Sequence, residues 1–245
     1  MTARTTVAIV GLALHASLVP LPAIAQTDFV PSAVTAATPA SPLVSRRAAT
    51  MAALFFAVAL LGDQEFQEEA QKFRTGATNS LAKVGNTFGD WRFIVPAFSA
   101  SYLAGEIAGS DGLKGTVLRA GAAAVLANGL TGGLKYAFGR ARPHIAGSSV
   151  EFHPFSGANS FPSGHTTVAF ALATAVADQT TDGWSDYVLY GAATLTAIAR
   201  INDNRHWTSD VVIGGLIGHV SARWVTRRMG PIEVGPGGMS VHIRF

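Results

Sequence analysis

The residues able to do chemistry in this 245-residue chain fall in three short stretches. Lys135 and Arg142-Pro143 open the set, Phe161-Pro162-Ser163-Gly164-His165 follows, and Arg200, His206 and Asp210 close it. Together they offer fixed cations, two imidazoles and a carboxylate. A phosphoryl group in transfer spreads negative charge over its equatorial oxygens, so preplaced cations and hydrogen-bond donors stabilise it. An imidazole can accept the phosphoryl group. A carboxylate on one ring nitrogen fixes the tautomer and makes the other nitrogen the better nucleophile.

The spacings suit that chemistry. Lys135 and Arg142 are seven residues apart, about two helical turns, and share a face if the helix persists. Ser163 can cap a helix, Gly164 lets backbone approach a ligand, and the first amides of that helix attract an anion. His165 at the helix entrance is placed for acid–base work. His206 and Asp210, at i and i+4, fall on one helix face, and Arg200 six residues earlier adds a cation. Each stretch alone has a plainer reading: a helix end complementing its dipole, an ordinary serine cap, a surface His–Asp pair. Arg140 is a further cation to which the sequence assigns no role.

The joint pattern resembles the type 2 phosphatidic acid phosphatase family, which shares its site with bacterial acid phosphatases and vanadium haloperoxidases. The family pattern Lys-x6-Arg-Pro, Pro-Ser-Gly-His and Ser-Arg-x5-His-x3-Asp is met here with every spacing kept, except that Ala199 stands where serine is usual. The resemblance implies an all-α helical bundle. It implies that His206 becomes phosphohistidine, that Asp210 orients it, and that His165 protonates the leaving oxygen and then activates water. Lys135, Arg142, Arg200, Ser163 and the Gly164 amide would bind phosphate oxygens, with no metal and no cofactor. A vanadate-dependent haloperoxidase using the same site, and a non-enzymatic envelope scaffold, are the alternatives.

The elements that must position these residues read as about six helices. They run from Arg46 through a polar continuation at 63–74, then over 92–108, 113–138, 163–178, 184–201 and 206–228. Pro143 stops the third, and residues 144–161 form a long loop of the kind that is often functional. Asp63, Glu65, Glu68 and Glu69 read as a solvated acidic face, and His219 as structural. His144 and His153 read as loop polarity, and the four tryptophans as core or interface. Residues 230–245 read as a short hairpin around Gly235–Gly238.

Arg4, the apolar run Val7–Val19 and Ala23-Ile24-Ala25 form a secretory signal over residues 1–25, with cleavage after Ala25. A flexible leader over 26–45 and a domain over 46–229 follow. The expected location is the periplasm or cell envelope. Removing Arg4 leaves 17 Lys and Arg against 15 Asp and Glu, too balanced for a nucleic-acid partner. The absence of cysteine excludes disulfides and thiol chemistry. Charge-free runs of 13 to 15 residues look more like buried core helices than spans of about 20 residues. They lean toward a soluble or membrane-peripheral domain, although a lipid phosphate and a small soluble phosphomonoester both fit as substrate.

Overall fold

The structure, a computed structural model, describes residues 5–9, 43–180, 183–235 and 238–243. The expected leader up to residue 42, and the export signal apart from Thr5–Ile9, lie outside the described residues. Eight helices occur among the described residues: α1 (Arg46–Leu61), α2 (Asp63–Lys72), α3 (Gly76–Thr87), α4 (Trp91–Ile107), α5 (Asp111–Phe138), α6 (Gly164–Ala177), α7 (Gly183–Asn202) and α8 (Thr208–Arg228).

The expected all-α bundle is present, with two helices more than the sequence suggests. The reading of 46–74 as one continuous helix is corrected: α1 and α2 meet at Gly62 with a 69° bend. α3 is an additional helix, started by a Thr75–Thr78 capping box. Three strands form an antiparallel sheet in the order β1 (Thr5–Ile9), β3 (Gly238–Ile243), β2 (Met229–Gly235). β2 and β3 make the C-terminal hairpin.

α6 is the central element, packed by α5, α7 and α8. Apart from His165, Phe170 and Leu172 its residues are Gly, Ala, Thr and Val, so three neighbours can approach it closely. The core is built from Ala120, Ala123 and Ala127 of α5, Ala171 and Ala175 of α6, and Ala222 and Val225 of α8. On α8, a Cβ at Gly218 would lie 2.3 Å from the Thr167 carbonyl oxygen, and one at Gly214 would lie 2.7 Å from that of Ser163. Glycine at these two positions lets α8 lie backbone-to-backbone on α6.

α1 and α4 are not buried core, which corrects the expectation from run length for these two helices. In α1 only Ala59 is buried, and Leu54, Phe55, Val58 and Leu61 are exposed. Phe93, Val95, Leu103 and Ile107 of α4 are exposed as well. α5 is long and apolar enough to cross a membrane, and its apolar window is 28% buried.

Candidate active site

Every motif residue comes to one end of the bundle, around the start of α6 and α8. Lys135 lies in the last turn of α5, which Gly139 ends in the left-handed region at φ 56°. The helix does not persist to Arg142, so the expected shared face is replaced by a chain reversal. Lys135 Nζ donates to the carbonyls of Asn159 and Ser160. The loop after Arg142 is tied back by Ala141 N–H to Glu151 O, His153 N–H to Gly139 O and Ser160 N–H to Arg140 O. Phe138, Phe152 and Phe161 pack edge-on beneath it.

Ser163 occupies the N-cap position of α6, but its hydroxyl caps no backbone amide. It accepts from the Thr166 hydroxyl at 3.0 Å, and its own N–H donates to the Asp210 carbonyl at 3.0 Å. The first-turn amides of Gly164 and His165 head this helix, where its dipole favours an anion. Asn128 Oδ1, Thr131 and the Lys135 stem lie about the Gly164 α-carbon. His165 is half-buried and packs by its backbone on Gly89 in the turn before α4.

His206 is buried, 3% exposed, and lies two residues ahead of α8 rather than on it. The expected common helix face is thus replaced by a turn. Asp210, in the first turn of α8, accepts the Trp207 N–H at 2.9 Å, which folds the chain so that His206 Nδ1 lies 3.5 Å from Asp210 Oδ2. That distance is long for a hydrogen bond, so in this resting geometry Asp210 acts on the ring through charge. Nδ1 faces the carboxylate, which leaves Nε2 as the nitrogen able to attack.

Burial first, and then the positive charges of Lys135 and Arg200, push the His206 imidazole down to about 4 against the pull of Asp210. Burial and the Arg200, Lys135 and Arg142 charges likewise push His165 down to about 4, against Asp90. Both rings are therefore neutral at pH 7. Arg200 is held by Asn86 Oδ1 at 2.7 Å, and Asn86 also donates to Asp203 at 2.7 Å. Asp90 caps α4 and is paired with the exposed Arg92.

Two residues that sequence reasoning left aside sit at the heart of the site. Arg140 is fully buried, bonded to Asp210 Oδ1 at 2.7 Å and Asp63 Oδ2 at 2.7 Å, and to the Ser149 carbonyl and Ser209 hydroxyl. It also lies over the rings of Phe152 and Trp207. Asp63 is fully buried and accepts the Ser209 N–H at 2.8 Å, which corrects its reading as part of a solvated face. Glu65, Glu68 and Glu69 are exposed as expected. Burial raises the Asp63 carboxyl above its ordinary range despite Ser209 and Arg140. Burial opposes ionisation of Asp210 as well, but His206, Arg140 and Ser160 outweigh it and hold Asp210 low.

Other singled-out residues lie apart from this centre. His219 bonds Thr174 at 3.1 Å and lines an apolar groove between α1, α6, α7 and α8. His144 contacts the Asn204 carbonyl at 3.0 Å, and His153 is exposed. Trp184 is 73% exposed, which removes the core half of its reading as core or interface. No group of three or more His, Asp or Glu that could hold a metal occurs among the described residues.

Comparison with known proteins agrees with this geometry. The family model of the PAP2 superfamily matches residues 116–232. A lipid A 1-phosphatase of Porphyromonas gingivalis is 40% identical over 95 residues, which are 38% of this chain and 19% of that protein. The match therefore spans about a fifth of that relative's length. The crystal structure of Aquifex aeolicus LpxE superposes with a TM-score of 0.55 at 22% identity, covering 67% of this chain and 94% of that one. A transmembrane PAP2-type phosphatidylglycerolphosphate phosphatase of Bacillus subtilis gives 0.53 at 19% identity, covering 73% and 94%. At these identities the two structures speak to the fold. All three motifs fall inside residues 116–232, the segment similar to the PAP2 superfamily model, and they are drawn together by a helical fold similar to that of these two structures.

Proposed function

We propose that this chain is a phosphomonoesterase that acts on a phosphorylated lipid through a phosphohistidine. The observation that carries the reading is His206: buried and neutral, with Asp210 on one ring nitrogen and the charges of Lys135 and Arg200 acting on the site before the other. Lys135, Arg142, Arg200, Ser163 and the Gly164 amide hold the phosphate oxygens. Nε2 of His206 attacks phosphorus, the bond from phosphorus to the leaving oxygen breaks, and His165 gives that oxygen its proton. Water then attacks the phosphohistidine, His165 takes the proton, and orthophosphate leaves with His206 restored. Burial keeps His165 neutral and the neighbouring cations add to it; an incoming phosphate dianion offsets the cations, so substrate binding itself favours the imidazolium that the first step needs.

The exposed apolar side chains of α1 and α4 support a lipid substrate, since apolar surface on this scale marks contact with lipid or protein. The lipid A 1-phosphatase relative points the same way. We place the enzyme in the cell envelope, with residues 1–25 as its export signal. The mass of the purified protein's N-terminal peptide tests that placement.

The activity is tested by phosphate release from an aryl phosphate and from a phosphorylated lipid in mixed micelles, with EDTA present. Release by the native chain, blocked by vanadate and lost in His206→Ala, is the expected result. A fully active His206→Ala would sink the phosphohistidine, and preference for the aryl phosphate would sink the lipid substrate.

A further inference from the structure

The matched segment begins at residue 116, yet one of the charges buried behind the nucleophile comes from outside it. Asp63 opens α2, immediately after the bend at Gly62, and reaches the first turn of α8. There it meets Arg140, which lies between Asp63 and Asp210, and all three side chains are 0% exposed.

The charges of this trio decide what Asp210 can do. Arg140 bonded to Asp210 alone would form a neutral pair, and a neutral pair has little field to offer His206. Asp63, whose oxygens accept from Arg140 and from the Ser209 N–H and hydroxyl as a carboxylate does, supplies the second negative charge against the cost of its burial, so the trio retains one net negative charge. When Nε2 of His206 takes the phosphoryl group the ring becomes an imidazolium, with its proton still on Nδ1. A net negative charge behind Nδ1 stabilises that cation, whereas Lys135 and Arg200 on the substrate side oppose it.

The geometry is arranged to the same end. Arg140 occupies Asp210 Oδ1 at 2.7 Å, while Oδ2, held by the Ser160 hydroxyl and the Trp207 N–H, is the oxygen turned to His206. Asp63 in turn takes up a second face of the guanidinium and the Ser209 N–H and hydroxyl. We propose that Asp63 and Arg140 are positioning residues for the phosphoryl-transfer step: Arg140 aims Asp210, and Asp63 returns to the site the negative charge that Arg140 would otherwise cancel. The proposal rests on the phosphohistidine reading above.

Asp63→Asn keeps the shape and removes the charge. The full-length chain in detergent is assayed for kcat and KM with an aryl phosphate, for orthophosphate binding and stoichiometry by calorimetry, and for thermal melting. Ser209→Ala, Asp63→Glu and His206→Ala are measured beside it. The expected result is a kcat lowered about 10- to 100-fold in Asp63→Asn, the range seen when an outer partner of a site ligand is lost. Orthophosphate should still bind one per chain with its affinity changed less than about threefold. Ser209→Ala loses the hydroxyl bonds to both Asp63 and Arg140 but keeps all three charges, and its kcat should stay within about threefold of the native value, as should that of Asp63→Glu.

If kcat in Asp63→Asn falls only in step with binding stoichiometry and melting temperature, Asp63 holds the fold and the proposal is wrong. A Ser209→Ala kcat as low as that of Asp63→Asn also overturns it, because the hydroxyl clamp would then be the operative feature. Should Asp63→Asn not fold, a tenfold fall in kcat for folded Asp63→Glu overturns the proposal, and an unchanged kcat supports it. His206→Ala separates the two levels. An active His206→Ala removes the phosphohistidine itself, whereas an inactive one beside a fully active Asp63→Asn leaves the phosphohistidine standing and removes only this inference.

Discussion

Gly89→Ala is the sharpest test of how the general acid is placed. Gly89 sits in the turn between α3 and α4, outside all three motifs. An ideal Cβ there would lie 2.4 Å from the His165 carbonyl oxygen, 2.8 Å from its carbon and 2.9 Å from its α-carbon. Ordinary contact begins at 3.4 Å, so the closest approach is a full ångström short. All three atoms are backbone, and no flexible side chain can swing aside. His165 cannot retreat freely, because the Ser163 carbonyl behind it already lies on the backbone of α8 at Gly214. The turn is fixed in its own way by Asp90, whose carboxylate accepts the Arg92 N–H at 2.9 Å.

The strain divides between the two sides, so His165 moves by about half of the missing ångström; since a 1 Å misplacement costs about 10²-fold, turnover should fall about 10-fold. Overpacking of this kind costs about 1–3 kcal/mol in stability. Aryl phosphate turnover, thermal melting and orthophosphate binding are measured together on the purified variant. The expected pattern is a large fall in kcat, a modest fall in melting temperature and near-normal phosphate binding. Turnover within twofold of the native protein would refute the reasoning, because it would show that His165 tolerates a displaced helix entrance.

Three other outcomes are expected. Gly133→Ala in α5 should raise stability by about 0.5–1 kcal/mol in a denaturant titration without touching activity, since a Cβ there meets nothing within 4 Å. Trp207→Phe should cost about 1–3 kcal/mol and lower turnover, because it leaves the buried Ala141 carbonyl without the Nε1–H that reaches it at 3.0 Å and loosens the stack on Arg140. The His206 imidazole is pushed to about 4 in the folded chain, below its ordinary 6.5, so the fold favours the neutral ring. That contribution is complete above pH 6.5 and is lost as pH falls toward 4, where the unfolded chain takes up the proton first; it amounts to about 3 kcal/mol. Melting temperature should therefore drop less steeply over this window in His206→Gln than in the native protein.

What the sequence made legible was local. The spacing from Lys135 to Asp210, the glycine that ends α5, and the boundaries of α4 to α8 all depend on neighbours within a few residues. What it hid was made by distance. Arg140 had no role to read, because its partners Asp63 and Asp210 lie 77 and 70 residues away. Asp63 looked solvated because it begins a run of acidic residues, and only the bend at Gly62 turns it inward. Glycine followed by aspartate, a helix end and then a favoured helix start, was the available signal for that break. Burial was misjudged from run length, since short apolar runs predict a core only if other helices cover them. Here α1 leaves Leu54, Phe55, Val58 and Leu61 uncovered, and α4 leaves Phe93, Val95, Leu103 and Ile107.

The long reach of Asp63 also sets an order in time. A chain made from its N-terminus exposes Asp63 77 residues before Arg140 appears and 146 residues before the Ser209 amide that it caps. Until then a carboxylate destined for complete burial has neither its cation nor its donors. It has every reason to stay in water, and α2 has no reason to dock. Docking of the α1–α2 bend onto α8 therefore waits on synthesis of α8, and a nascent chain that stops short of Ser209 has no donor on that helix to seat Asp63.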